Sequence, residues 1–385
     1  MNTEDVNAGS PAPSRRAREM PPHVISGLST KPAVNPIQLS HNESAIRLQP
    51  NWLEPAARAA SAATRYPDPE CKLLRQAIAE TFCLDDERII CSAGLMECLQ
   101  TLALAYLDPG DEVVIPEHAF AFFRQVAQLA GAEVTLVPER NLRVDVGSIL
   151  EAVDESTKMV IFANPGNPTG TYLCKQCIAE LRLRLPPTTL LVIDEAYAEF
   201  VREDRYEPLF DLTDLGNAIV LRSFSKMYGL AGFRVAWAYG PHEVVDYARR
   251  IQTPAIVSSV AQAIAAAAVR DQLFVHSFKH EMLAIRRRFI DRLAGLYRIS
   301  PVESETNFVL LRTKSEAEAW NLDEFLSQRG IVLRLQPAVG LNHCLRASIG
   351  TEEQMELVGS AILEWCSAAK ADDLRVSSIP GQIGV

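Results

Sequence analysis

The chain has 385 residues, 48% of them hydrophobic and 22% charged, the balance of a globular core and not of a disordered or fibrous chain. Thirty-eight Lys and Arg against 48 Asp and Glu give a net charge of −10, and no basic stripe offsets it, which argues against nucleic-acid and anionic-membrane partners. No apolar run approaches the roughly 20 residues of a bilayer span, and none follows Arg15, Arg16 and Arg18, so no anchor or secretory leader is expected and the setting is expected to be cytoplasmic.

Residues 1–36, rich in Pro, Ser, Ala and charge, read as a flexible arm. Over residues 37–253, amphipathic helices alternate with short apolar strands. The apolar runs predict strands at Arg88–Cys91, Glu112–Pro116, Glu133–Val137, Met159–Ala163, Leu190–Asp194, Ala218–Ser223 and Arg234–Ala238. Helices are predicted at Lys72–Phe82, Leu95–Leu107, Ala119–Ala130 and Lys175–Leu183. Continuous apolar strands separated by helices predict an α/β fold whose central sheet is mostly parallel and covered on both faces. Residues 254–370 read as a smaller α+β domain. It holds a long helical run over Ser258–Tyr297, strands at Asn307–Arg312, Val332–Arg334 and Leu345–Ser348, and a helix at Glu352–Ser367. Residues 371–385 carry turn residues and no period, and read as a loose tail.

The eight cysteines are scattered, mostly within apolar runs, as expected of reduced core residues. Cys174 and Cys177 form one C-x-x-C without the second pair of a zinc site or the context of a redox site, so it reads as a helix start. No metal site is expected.

Four segments fall just after predicted strands, where open α/β sheets place their ligands. Ser92-Ala-Gly-Leu-Met-Glu97 puts Gly94 at a strand-to-helix junction, where the free amides of Gly94 and Leu95 suit an anion. Asn164-Pro-Gly-Asn-Pro-Thr-Gly170 is a constrained turn able to fix the side chain of Asn167. Leu191-Val-Ile-Asp-Glu-Ala-Tyr197 ends an apolar strand on Asp194, a carboxylate costly to bury unless a cation meets it. A metal held by Asp194 and Glu195 lacks the His cluster that would complete it. Ser223-Phe-Ser-Lys226 through Arg234 brings together hydroxyls and a guanidinium suited to phosphate, and a lysine suited to Schiff-base chemistry. The G-x-x-x-x-G-K-[ST] spacing of a P-loop is absent.

These segments, in this order, resemble the fold-type I pyridoxal-phosphate enzymes, specifically the class I and II aminotransferases of the histidinol-phosphate aminotransferase-like branch. The resemblance runs from about His41 to Thr351. Its supports are Arg65-Tyr-Pro-Asp-Pro-Glu70, Pro116-Glu-His-Ala-Phe120, Thr306-Asn-Phe308, and Cys344-Leu-Arg346 to Gly350-Thr351. It implies a pyridoxal 5'-phosphate-dependent aminotransferase that moves an amino group between an amino donor, an L-amino acid or a histidinol-phosphate-like amine, and a keto acid by a ping-pong mechanism. Lys226 would carry the cofactor through a Schiff base and move the Cα proton. Asp194 would keep the pyridine nitrogen protonated, and Asn167 and Tyr197 would hydrogen-bond the ring's O3'. Ser223, Ser225, Arg234 and the amides of Gly94 and Leu95 would hold the phosphate. His118 would stack on the ring. Tyr66 would reach the phosphate across the interface of a homodimer. Arg346 would grip the substrate carboxylate, with Asn307 supporting it and Arg334 nearby.

The chain departs from the branch in three places. Asn42-Glu-Ser-Ala-Ile46 stands where relatives carry an N-E-N-P-Y-like segment, so Ile46 replaces the tyrosine that helps hold a substrate phosphate. Pro254-Ala-Ile-Val257, with Ala255 and Ile256, replaces P-[FY]-N-[VS], and Leu95 and Met96 replace smaller or acidic residues. Each lost polar contact weakens a phosphorylated substrate by about 1 kcal/mol. The alternative on the same scaffold is a decarboxylase of the threonine-phosphate type or an oxidase. A transcriptional regulator would need a basic helical module, and the 36 residues before the match are too few and too Pro-rich for one.

Overall fold

A computed structural model describes residues 12–14, 17, 18, 20 and 36–376. The expected arm lies almost wholly outside the described residues, as does the tail from residue 377. Thirteen strands are described: β1 (Ile37–Gln38), β2 (Ile89–Ser92), β3 (Glu112–Pro116), β4 (Glu133–Val137), β5 (Thr157–Ala163), β6 (Leu190–Asp194), β7 (Ala218–Ser223), β8 (Ala236–Tyr239), β9 (Ile299–Pro301), β10 (Phe308–Thr313), β11 (Ile331–Val332), β12 (Arg334–Gln336) and β13 (Leu341–Ser348).

Seven of them form the central sheet, in the order β2-β8-β7-β6-β5-β3-β4. The pairs from β4 to β7 are parallel, and β8 runs antiparallel to both β2 and β7. The inner strands β6, β7 and β8 are buried along their whole length because their residues are almost all apolar, while the edge strand β4 is only partly buried. In β6, Leu191 and Ile193 join one buried cluster while Leu190 and Val192 join the other; β7 divides the same way. Each such side chain contributes about 1.5–3 kcal/mol on leaving water.

The register sets up the site. Ala163 pairs with Asp194, and Asp194 with Leu221, so the ends of β5, β6 and β7 lie side by side. Because β8 is reversed, its first residue meets those same ends: Ala236 pairs with both Ser92 and Ser223. Gly94, Ser223 and Arg234, far apart in sequence, thus follow from one row of the sheet.

The second sheet, β12-β13-β10-β9, is antiparallel. β1 pairs with β11 in parallel, so residues 37 and 38 join strands near the other end of the chain. Three expectations are corrected. The helical run from Ser258 is two helices, Ser259–Arg270 and Gln272–Leu293. Asp271 breaks it by capping the second, its carboxylate accepting from Phe274 N at 3.3 Å and from Trp52 Nε1 at 2.9 Å. The predicted strand Val332–Arg334 is two strands, parted at Leu333 because β11 pairs with β1 and β12 with β13. The last helix runs from Glu352 to Val376, past Ser367 and into the expected tail. Ala, Lys, Leu and Arg favour helix there, and the first proline is Pro380.

Candidate active site

Asp194 closes the buried strand β6 and is 7% exposed. Its Oδ1 accepts from Ala196 N at 2.9 Å; among the described residues no donor reaches its other oxygen. Burial pushes its carboxyl up to about 6, against the pull of that N–H and of Lys226. A buried carboxylate in this state calls for a cationic partner. Its neighbour Glu195 meets a different cation: Oε2 of Glu195 lies 3.4 Å from Arg222 Nη1, and Arg222 Nη2 also bonds Glu199 at 2.7 Å.

Lys226 lies in the turn after β7, which Ser225 N tightens by donating to Ser223 Oγ at 3.1 Å. Its Nζ donates to the carbonyls of His41 and Asn42, both at 3.2 Å, and stands 5.8 Å from the Tyr197 ring centre. Burial first, and then the Arg346 charge, bring the lysine down to about 8, so its neutral, nucleophilic form is within reach near neutral pH.

Asn42 holds these groups together. It is 1% exposed, with φ 53°, a left-handed conformation that Asn tolerates. Its Nδ2 donates to Tyr197 Oη at 2.9 Å, its backbone N donates to Ser348 Oγ at 2.8 Å, and its carbonyl also accepts from Asn307 Nδ2 at 3.1 Å. Because Tyr197 Oη accepts there, its own proton is free to donate. Reading the sequence alone missed Asn42 as a site residue. The segment Asn42-Glu-Ser-Ala-Ile46 keeps the Asn-Glu pair of the family's N-E-N-P-Y-like segment but no residue after it, and nothing in that pair shows that Asn42 bonds Tyr197 and Ser348. Ile46 packs on the lysine's turn: a Cβ at Gly229 would fall 2.1 Å from its Cγ2.

The residues expected to hold an anion come together where the register places them. Ser223 and Ser225 are buried. Gly94 begins helix Leu95–Tyr106 with φ +90°, and a Cβ there would fall 2.4 Å from Arg234 Nη2. Only glycine lets that guanidinium lie over free helix amides, which is the arrangement a phosphate needs. Glu97 caps the same helix start, accepting from Ala93 N at 3.1 Å, and takes no part in the cradle.

On the opposite side, Arg346 is 6% exposed on β13. Its Nη1 donates to Asn167 Oδ1 at 2.6 Å and its Nη2 to Ser40 O at 2.8 Å, while its buried Nε and Asn307 Oδ1 find no hydrogen-bond partner among the described residues. Asn167 keeps both of its amide hydrogens for a ligand. Both X-Pro bonds of its turn, Asn164–Pro165 and Asn167–Pro168, are cis. Arg334 pairs in register with Arg346 across β12 and β13, so the two share a face. Burial lowers both, Arg346 to about 10, and among the described residues Arg334 has no acidic partner. Two sequence candidates stand apart from these contacts. His118 Nδ1 donates to Val339 O at 2.8 Å, and Tyr66 is 95% exposed.

These residues fit pyridoxal phosphate. Among the described residues no cation is hydrogen-bonded to Asp194, which leaves its carboxylate for a ring nitrogen, Tyr197 and Asn167 retain donors for O3', and the Gly94–Arg234 arrangement suits the phosphate. Comparison with known proteins agrees. The family model for aminotransferase class I and II matches residues 34–362. A histidinol-phosphate aminotransferase of Granulibacter bethesdensis is 38% identical over 94% of this chain and 98% of its own. One from a Ruegeria species is 41% identical over 87% and 92%. The crystal structure of histidinol-phosphate aminotransferase from Sinorhizobium meliloti in complex with pyridoxal-5'-phosphate superposes with a TM-score of 0.81 at 29% identity, covering 86% of this chain and 91% of that one. The sequence, the sheet order and the lysine-centred site lead to one conclusion: the chain belongs to the class I and II aminotransferases, pyridoxal-phosphate enzymes of fold type I.

Proposed function

We propose that this aminotransferase exchanges an amino group between a phosphorylated amine of the histidinol-phosphate kind and a keto acid, by a ping-pong mechanism. The observation that carries the substrate class is the Arg334–Arg346 pair, two partly or wholly buried cations in register with no acid between them. Unpaired cations taken from water call for an anion, and a ping-pong site must receive two anionic substrates in turn. The curated relatives carry the same activity in their names.

Pyridoxal phosphate, when bound, supplies a ring that accepts the electron pair left as the Cα proton departs. The chain does the rest. Lys226 would hold the cofactor and would move the proton at Cα of the bound substrate. Asp194 holds a proton on the ring nitrogen. Tyr197 Oη and Asn167 Nδ2 donate to O3', and Ser223, Ser225, Arg234 and the amides of Gly94 and Leu95 hold the phosphate. Arg346 Nε would orient the substrate anion, supported by the segment of Asn307, and His118, held at Nδ1 by the Val339 carbonyl, would offer its face to the ring.

We further infer a homodimer in which Tyr66 of one protomer reaches the phosphate of the other; its 95% exposure supports this. The proposed domains are 37–253 and 254–370. The proposed setting is the cytoplasm, where cysteines stay reduced; no disulfide forms among the described residues, which include all eight cysteines.

The test is the cofactor's visible spectrum during titration with amino donors. Histidinol phosphate should convert it, and Arg334→Ala should weaken that donor by about 10- to 150-fold, the worth of a charged hydrogen bond of about 1.5–3 kcal/mol. Conversion by unphosphorylated amino acids alone, with no effect of Arg334→Ala, would sink the substrate assignment.

A further inference from the structure

We propose that Glu203, His276 and His280 form a surface site for a divalent cation of the zinc class. His276 and His280 stand one turn apart on helix Gln272–Leu293, and so on one face. Their Nε2 atoms are 3.1 Å apart, while the ring centres are 4.3 Å apart, so the nitrogens lean toward a common point. Glu203, from the loop before strand β7, brings Oε1 to 3.0 Å from His276 Nε2 and 3.6 Å from His280 Nε2.

Those three separations put the ligand atoms on a circle of radius about 1.9 Å. An ion bonded at about 2.0 Å to each then stands roughly 0.7 Å out of their plane, the height of a regular tetrahedral site with its fourth corner open to water. The set of two imidazoles and one carboxylate suits zinc better than calcium or magnesium, which prefer all-oxygen shells. Without an ion, an Nε2–H donated to Glu203 ties the loop to one histidine and leaves the second to water, whereas an ion meets all three atoms at once.

The site would tie a loop that already serves the active centre. Arg202 and Arg205 flank Glu203 and bond the buried Glu305 at 3.1 and 2.8 Å. From the same helix as the histidines, Arg286 bonds Glu305 at 3.3 Å and the Thr306 carbonyl at 2.8 Å. Glu305 and Thr306 lead directly into Asn307. An ion at Glu203 would therefore clamp the loop to the helix at a second point, outside the cofactor site.

Zinc uptake by tag-free holoenzyme in equilibrium dialysis tests this. The Cys174 and Cys177 thiols, 2.9 Å apart, are a competing ligand pair, so the background is a Cys174→Ser/Cys177→Ser variant. That variant should bind one zinc per chain, and His276→Ala and Glu203→Gln within it should each weaken binding by roughly 10- to 100-fold or more. Their cofactor spectrum should not change, which separates loss of the site from loss of the fold. No stoichiometric zinc in the cysteine-free background, or unchanged affinity in His276→Ala, would overturn the proposal. So would uptake that vanishes with the cysteines alone.

Discussion

Replacing Gly94 with Ala separates two effects that usually arrive together. At φ +90° and ψ 161° the backbone lies in a region open in practice to glycine alone, and a side chain there costs about 1–3 kcal/mol. That strain is present with or without cofactor, so it lowers the melting temperature by a few degrees and leaves affinity alone. The second effect is local. The new methyl would lie 2.4 Å from Arg234 Nη2 and 3.1 Å from its Cζ. The guanidinium must retreat by about 1 Å to regain ordinary contact, which takes its N–H groups out of reach of the phosphate. Loss of one charged hydrogen bond, about 1.5–3 kcal/mol, weakens pyridoxal phosphate by roughly 10- to 150-fold. Absorbance titration of apoenzyme reads the affinity, and a thermal melt reads the strain. Since the mechanism runs through Arg234, the affinity losses of Gly94→Ala and Arg234→Ala should not add. Unchanged affinity in Gly94→Ala, or fully additive losses in the double variant, would refute the reasoning.

Two further outcomes follow from the site's electrostatics. Cofactor capture by apoenzyme should accelerate as pH rises through about 8 and then level off, where an ordinary lysine would keep gaining toward 10.5; a stopped-flow pH profile checks it. Linkage has the matching sign: between about 8 and 10.5 the unfolded chain holds the extra proton, so this lysine makes apoenzyme stability rise with pH in that window. Asp194→Asn removes a buried carboxylate that burial disfavours, so the apoenzyme should melt no lower than wild type while turnover falls by more than about 100-fold. A lower melt with turnover intact would contradict both roles given to Asp194.

Much of this was legible in the sequence because it rests on local signals. The runs from Leu190 and Ala218 announce buried strands through composition alone, and the chemistry at their ends announces itself through residue type. Asn42 was not legible as a hub. It works through its carbonyl and through partners on the far side of the chain, and neither leaves a local trace. The helix Pro50–Ser61 was not among the predicted elements; Pro50 sits in its first turn, where no backbone N–H is needed, but Pro55 lies inside it, where a proline ordinarily argues against helix. The pairing of Arg334 with Arg346 depends on strand register, and Glu203 meets the histidines only in the folded chain. The i, i+4 spacing of His276 and His280 was visible throughout, but two histidines without a third ligand predict little.

The bonds that complete the substrate side join opposite ends of the polypeptide. Asn42 N to Ser348 Oγ and Arg346 to the Ser40 carbonyl each span 306 residues. The central sheet needs nothing beyond Tyr239, and with it come Asp194, Lys226, Ser223, Arg234 and Gly94. On the ribosome, then, the phosphate cradle can form while the chain that supplies Asn307, Arg334 and Arg346 is still being made, several seconds away at ordinary elongation rates of about 5–20 residues per second. A cofactor that binds the cradle early stabilises an unfinished chain by mass action.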